Sequence, residues 1–131
     1  MPSLGSPGSA DRERRKHPVT LSAMNAKYAA PEPSRDEVER LPGPAMLEFG
    51  SRGCGYCRAA EPLAAAALAG HPGVRHIRIE DARGRPLGRS FNIKLWPTFV
   101  FLRNGREAAR LVRPRDEQAI AAALAGIDVP E

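Results

Sequence analysis

Cysteine is scarce in this chain: its 131 residues hold only Cys54 and Cys57. Two cysteines exclude a disulfide-built scaffold, so an apolar core must hold the fold. Apolar runs are short. None reaches about 18 residues, which excludes a membrane-spanning helix and predicts no membrane partner. The charged stretch Asp11 to Lys16 is not followed by an apolar segment, so no secretory signal is expected. A cytoplasmic chain, in which the cysteines cycle rather than form a permanent bond, is the expectation. A basic patch is also missing. The net charge is +5, but residues 11–16 carry four basic and two acidic side chains, which leaves +3 for the remainder. With only seven aromatic residues, this pattern predicts a solvated surface and no nucleic-acid partner. Internal repeats are absent.

The pair that does occur sits in Gly53-Cys54-Gly55-Tyr56-Cys57. It follows the apolar run Ala45-Met46-Leu47-Glu48-Phe49 and opens an alanine-rich segment that reads as helix through Ala69. Residues three apart on a first helical turn share one face, about 5–6 Å apart. A disulfide needs Cα atoms roughly 4.4–6.8 Å apart, so such a pair can close and open with little backbone movement. Helix N–H groups without internal partners, and the positive end of the helix dipole, favour a thiolate at Cys54. Arg52 and Arg58 flank the pair and push the same way. The predicted chemistry is thiol–disulfide exchange: Cys54 attacks a substrate disulfide, and Cys57 then resolves the mixed disulfide.

At this length one domain is expected, over residues 24–127, preceded by a disordered tail over 1–23 rich in Ser, Gly, Pro and charge. Met24 is an alternative start. Tyr28-Ala29-Ala30 reads as a short edge strand limited by Pro31 and Pro33. Ser34-Arg35-Asp36-Glu37 is a capping box and opens a short helix to Leu41. Ala45–Phe49 reads as a strand, and the helix from Cys54 stops at Gly70, with Pro62 placed to kink it. Val74–Ile79 alternates as a strand, Arg85–Phe91 reads as a short helix, and residues 97–102 form an apolar strand. Asn104-Gly105 signals a hairpin, from which Glu107–Val112 returns antiparallel. Pro114 starts a last helix that reaches Leu124 and stops at Gly126. A βαβ unit followed by ββα predicts an α/β fold, with a mixed sheet of four to five strands and helices on both faces.

Cys54-Gly55-Tyr56-Cys57 after a strand, Pro62 five residues on, Trp96-Pro97-Thr98 opening a strand and the Asn104-Gly105 hairpin before a final helix occur in a specific order. Over residues 28–125 the chain resembles the thioredoxin-fold family. The resemblance implies a cis proline at Pro97 facing the cysteines, with the Trp96 backbone offered to an extended substrate. Gly55, Tyr56, Trp96 and Pro97 would then bind substrate. Glu48 falls where thioredoxins bury an Asp behind the second cysteine, and is expected to take the Cys57 proton; a surface glutamate is the plain alternative. No bound cofactor is implied. A monomer acting on protein disulfides is expected, with electrons from a reductase or small thiol. The departures are Gly53 and Gly50 where the family has aromatic residues, and Trp96 in place of a smaller residue, whose indole is expected to cover the groove thus left open. Arg113 replaces a groove glycine.

Other readings stay open on the sequence. Gly55-Tyr56 is similar to the dipeptide of disulfide isomerases, so isomerase or oxidase activity is one. Glutathione-linked exchange, with Arg52 and Lys94 holding carboxylates, is a second. A binding or chaperone module on the same fold is a third. Cys54, Cys57, His71 and His76 also fit two-Cys, two-His zinc spacing. Pro72-Gly73 separates those histidines, however, where a finger carries both on one helix.

Overall fold

The computed structural model describes residues 27–82 and 85–130. The tail at 1–23 and the start at Met24 lie outside the described residues. The elements run α1 (Arg35–Glu39), β1 (Pro44–Gly50), α2 (Gly55–Ala69), β2 (Arg75–Glu80), α3 (Pro86–Ser90), β3 (Thr98–Arg103), β4 (Arg106–Val112) and α4 (Glu117–Ile127). The four strands form one mixed sheet in the order β2-β1-β3-β4. Strand β1 is parallel to β2 and antiparallel to β3, which pairs antiparallel with β4. This is the α/β arrangement expected from the order of elements.

Alternation along the central strands sorts the core into two halves, because successive strand side chains point to opposite faces. Met46, Phe99 and Phe101 meet Ala60, Ala64 and Leu68 of α2 and Ile120, Leu124 and Ile127 of α4. Ala45, Leu47, Phe49, Val100 and Leu102 meet Val38 of α1, Leu87 of α3 and Phe91 on the other face. Alanines at 60, 64 and 67 recur at helical spacing on the buried side of α2, which keeps that helix close to the sheet. Pro62 lies inside α2 on an exposed position. There the carbonyl that loses its N–H partner can turn to water.

Local signals account for most boundaries. Ser34 and Glu37 cap α1 reciprocally, with Glu37 N–H donating to Ser34 Oγ at 3.0 Å and Ser34 N–H to Glu37 Oε1 at 2.8 Å. Asn104 and Gly105 take φ of 52° and 80°, the left-handed pair of a tight hairpin turn. A Cβ at Gly105 would lie 2.0 Å from the Glu39 carbonyl oxygen, so the hairpin packs directly on the end of α1.

Two expectations are corrected. The segment at Tyr28 is a single parallel bridge to Arg78, with Ala29 N–H donating to Arg78 O at 2.8 Å, rather than a strand. Pro31 and Pro33 follow at once and lack the N–H groups a ladder needs. The last helix starts at Glu117, capped by Asp116, whose side chain accepts the Ala119 N–H at 2.7 Å. It does not start at Pro114, and it continues through Gly126 to Ile127, which is buried in the core. The aspartate cap outweighed the proline signal, and burial of Ile127 outweighed the glycine.

Candidate active site around Cys54 and Cys57

Strand β1 carries the chain into the site, and Gly53 turns it with φ of 78°. This left-handed backbone favours glycine over the tryptophan that the resemblance would place there. Cys54 is the N-cap of α2, and its Sγ accepts the Cys57 backbone N–H at 3.2 Å. The thiol thus takes up one of the N–H groups that a helix start leaves without a partner. Gly55 opens α2 on the exposed side, and Cys57 lies one turn in, buried. Both cysteines are free thiols.

Cys57 is held as a neutral thiol. Burial, then its hydrogen bond with Cys54 and the nearby charge of Glu48, push it up to about 12. Gly50 makes the room: a Cβ there would stand 2.9 Å from Cys57 Sγ and 3.4 Å from the Tyr28 hydroxyl. Tyr28 closes this side under the Arg78 guanidinium, 4.7 Å above its ring. Burial raises the Tyr28 phenol, against the lowering pull of Arg78.

Glu48 is 2 % exposed. It shares its strand face with Met46, which packs under α2, so alternation sends its carboxylate beneath the cysteine helix and not to solvent. Register sets Glu48 opposite Arg78 and Met46 opposite His76 on β2. The His76 Nε2 lies 2.8 Å from Glu48 Oε1, and the Arg78 Nε lies 3.7 Å from Glu48 Oε2. His76 Nδ1 has no hydrogen-bond partner among the described residues. On the sequence alone His76 reads as an ordinary strand residue or, by spacing, a zinc ligand. The signal that could have found it is the same alternation, since a parallel neighbour of Met46 must share its face.

Beside Tyr56 is an open groove of about 680 Å³, lined by Tyr56, Leu63, Leu95, Val112, Arg113 and Arg115 among others. Tyr56, Leu95 and Val112 are roughly half exposed. The Trp96–Pro97 peptide bond is cis. Trp96 meets Arg113 through its carbonyl, while its indole N–H donates to Asp81 Oδ2 at 2.8 Å. The side chain that reaches across is Arg113. Its Nε donates to Trp96 O at 2.7 Å, its guanidinium lies 3.9 Å from the Tyr56 ring centre, and its backbone N–H donates to Pro97 O at 2.9 Å. Arg113 therefore ties Tyr56 to Trp96 through its guanidinium and to Pro97 through its backbone.

The two histidines of the zinc spacing are drawn apart. His71 Nδ1 lies 2.7 Å from Asp128 Oδ2 at the end of α4, and His76 bonds Glu48. Among the described residues no three His, Cys, Asp or Glu side chains converge as a metal group. Arg52 lies 3.6 Å from Glu80, and Lys94 is exposed.

Comparison with known proteins agrees with this geometry. The sequence model of the Thioredoxin family matches residues 25–126. The solved structure of thioredoxin 2 from Pseudomonas aeruginosa PAO1 in its reduced form is 50% identical, superposes with a TM-score of 0.71, and matches 79% of this chain and 95% of its own. A thioredoxin H-type from Oryza sativa subsp. indica is 26% identical over 72 residues, which are 55% of this chain and 59% of that protein. Thioredoxin-1 of Caenorhabditis elegans is 30% identical over 60 residues, 46% of this chain and 52% of its own. The match thus spans between half and three fifths of these two curated relatives.

Proposed function

The chain belongs to the thioredoxin family, and from that premise we propose that it is a thiol–disulfide oxidoreductase that reduces protein disulfides in the cytoplasm. The observation that carries the reading is the asymmetry of the pair. Cys54 caps α2 with its sulfur on a backbone N–H, and Cys57 is a buried neutral thiol one turn behind.

The steps follow from that asymmetry. The Cys54 thiolate attacks one sulfur of the substrate disulfide; the first substrate thiolate leaves, and a mixed disulfide forms. Cys57 passes its proton to the Glu48 carboxylate and attacks Cys54 Sγ. The second substrate thiolate leaves and is protonated, and Cys54–Cys57 is now the disulfide. Two electrons have moved from the pair to the substrate. His76 and Arg78 hold the carboxylate in place for this transfer.

A partner reductase or a small thiol restores the dithiol. A hollow of about 260 Å³ beside both cysteines is lined by Tyr28, Arg52, Arg58, Arg78 and Glu61, with Arg78 paired to Glu61 at 3.2 Å and Arg52 to Glu80 at 3.6 Å.

The test is reduction of a protein disulfide with dithiothreitol as electron source. The wild type accelerates it, and Cys54→Ser returns it to the uncatalysed rate. Cys57→Ser halts at a mixed disulfide that non-reducing electrophoresis detects. Unchanged rates in both variants would leave the binding-module reading in place.

A further inference from the structure

Arg113 stands where the backbone is left-handed, with φ of 50°, a conformation that favours glycine. Its contacts hold it there. The backbone N–H is bonded to Pro97 O, Nε is bonded to Trp96 O at 2.7 Å, and the plane of the guanidinium rests on Tyr56. A guanidinium has five N–H donors in a fixed fork. With Nε engaged, the two terminal nitrogens make no hydrogen bond among the described residues and border the groove. Arg115 adds a second cation to the same lining, which contains no carboxylate. The rest of the groove is apolar, through Leu63, Leu95, Val112 and the Tyr56 ring.

We propose that Arg113 is a specificity-determining residue: a preorganised fork that selects disulfide-bonded polypeptide segments bearing a carboxylate side chain within a few residues of the attacked cysteine. Rotamer freedom is already lost before the partner arrives, so a carboxylate gains a bidentate, charge-assisted pair at little ordering cost. The fork rests on Tyr56, two residues from Cys54, so a carboxylate it holds lies within a few residues of the attacked cysteine. The apolar lining takes the neighbouring side chains. Segments without an acid must instead displace Arg113 from Trp96 O before their own backbone can bond there. The inference rests on the disulfide-reductase reading, of which it specifies the substrate class.

The test compares two linear peptides, each disulfide-bonded to the same blocked cysteine and differing only in Glu against Gln beside the attacked cysteine. Reduction of each oxidises the Cys54–Cys57 dithiol, which dithiothreitol re-reduces. Wild type is expected to show kcat/KM about tenfold higher on the Glu peptide, the worth of one charge-assisted hydrogen bond. That preference should shrink as salt rises. Arg113→Gly, which suits the left-handed backbone, should lose the preference and gain rate on the Gln peptide; Arg113→Lys should keep only part of it. Equal rates on both peptides in the wild type, or the same preference in Arg113→Gly, would overturn the fork while leaving the reductase reading intact. An Arg113-dependent gain confined to oxidised glutathione would also overturn it, by assigning the fork to a small disulfide. Calorimetry with the non-reducible thioether analogues separates the two claims. Wild type that turns over neither peptide, but binds the Glu analogue about tenfold more tightly, sinks the reductase reading and keeps the fork.

Discussion

On the inner side of the cysteine pair, Cys57 lies against Gly50, with Glu48, His76 and Arg78 on one face of two parallel strands. On the outer side, Tyr56, Leu95 and Arg113, which come from a helix start, a loop and the residue after β4, line the groove. The inner side is set by strand parity and register, so each side chain there has little freedom, and burial keeps the thiol neutral. The outer side is set by chain segments that meet only in the folded molecule, and its side chains are half exposed. Proton transfer needs a dry, fixed environment, and recognition needs an accessible one. Helix α2 serves both because it carries Cys57 to the inner side and Tyr56 to the outer one.

The sharpest way to break this division is Glu48→Gln. The amide keeps the shape but cannot take the Cys57 proton. Release from a preformed mixed disulfide should slow by about 10²-fold, while attack by Cys54 keeps its rate. Stopped-flow single turnovers separate the two steps. Equal slowing of both would mean that Glu48 only supports the fold.

Gly50→Ala tests the packing of the inner side. Its Cβ would stand 2.9 Å from Cys57 Sγ, so the helix start or the thiol must shift. A loss of about 1–3 kcal/mol is expected in urea unfolding. An unchanged midpoint would show that the inner side is looser than its contacts indicate.

The pH dependence of the reduced form sharpens the same contrast. The unfolded Cys57 thiol ionises near its ordinary value of 9.0, whereas the folded one stays protonated until about 12. The unfolded state therefore releases its proton first, and the stability present below pH 9 is lost as pH rises toward 12. The raised Tyr28 phenol acts in the same direction. Denaturant titrations at stepped pH should show that decline in the wild type and a smaller one in Cys57→Ala. The same neutrality predicts that iodoacetamide at pH 7 labels Cys54 and spares Cys57, which mass spectrometry reads directly.

On the outer side the effect on stability should be smallest. Tyr56 is 59% exposed, so Tyr56→Ala should change stability by less than about 0.5 kcal/mol. It should still weaken binding of acidic peptides, because Arg113 loses the ring that holds its plane. A large stability loss would show that the groove is part of the core.

Much of this was legible in the sequence. Cys-x-x-Cys after an apolar run placed the pair at a helix start, the capping box at Ser34 marked α1, and Asn104-Gly105 marked the hairpin. Resemblance placed Glu48 behind Cys57. What was not legible depends on contacts between distant segments. Nothing near Trp96 in the chain shows that Asp81 takes its indole N–H, and nothing near Arg113 shows that it replaces that indole as the link across the groove. His76 needed the β1–β2 register, which two isolated strands do not reveal. The last helix was misplaced because Pro114 and Asp116 are both start signals, and only packing decides between them.

The most direct measurement is the reduction potential of the Cys54–Cys57 pair, read in glutathione and dithiothreitol buffers with thiols counted. A thioredoxin-family pair acting as a reductase predicts a value near that of thioredoxins, about −270 mV. A value between about −200 and −120 mV would contradict the account, because such a pair gives its disulfide away or shuffles others.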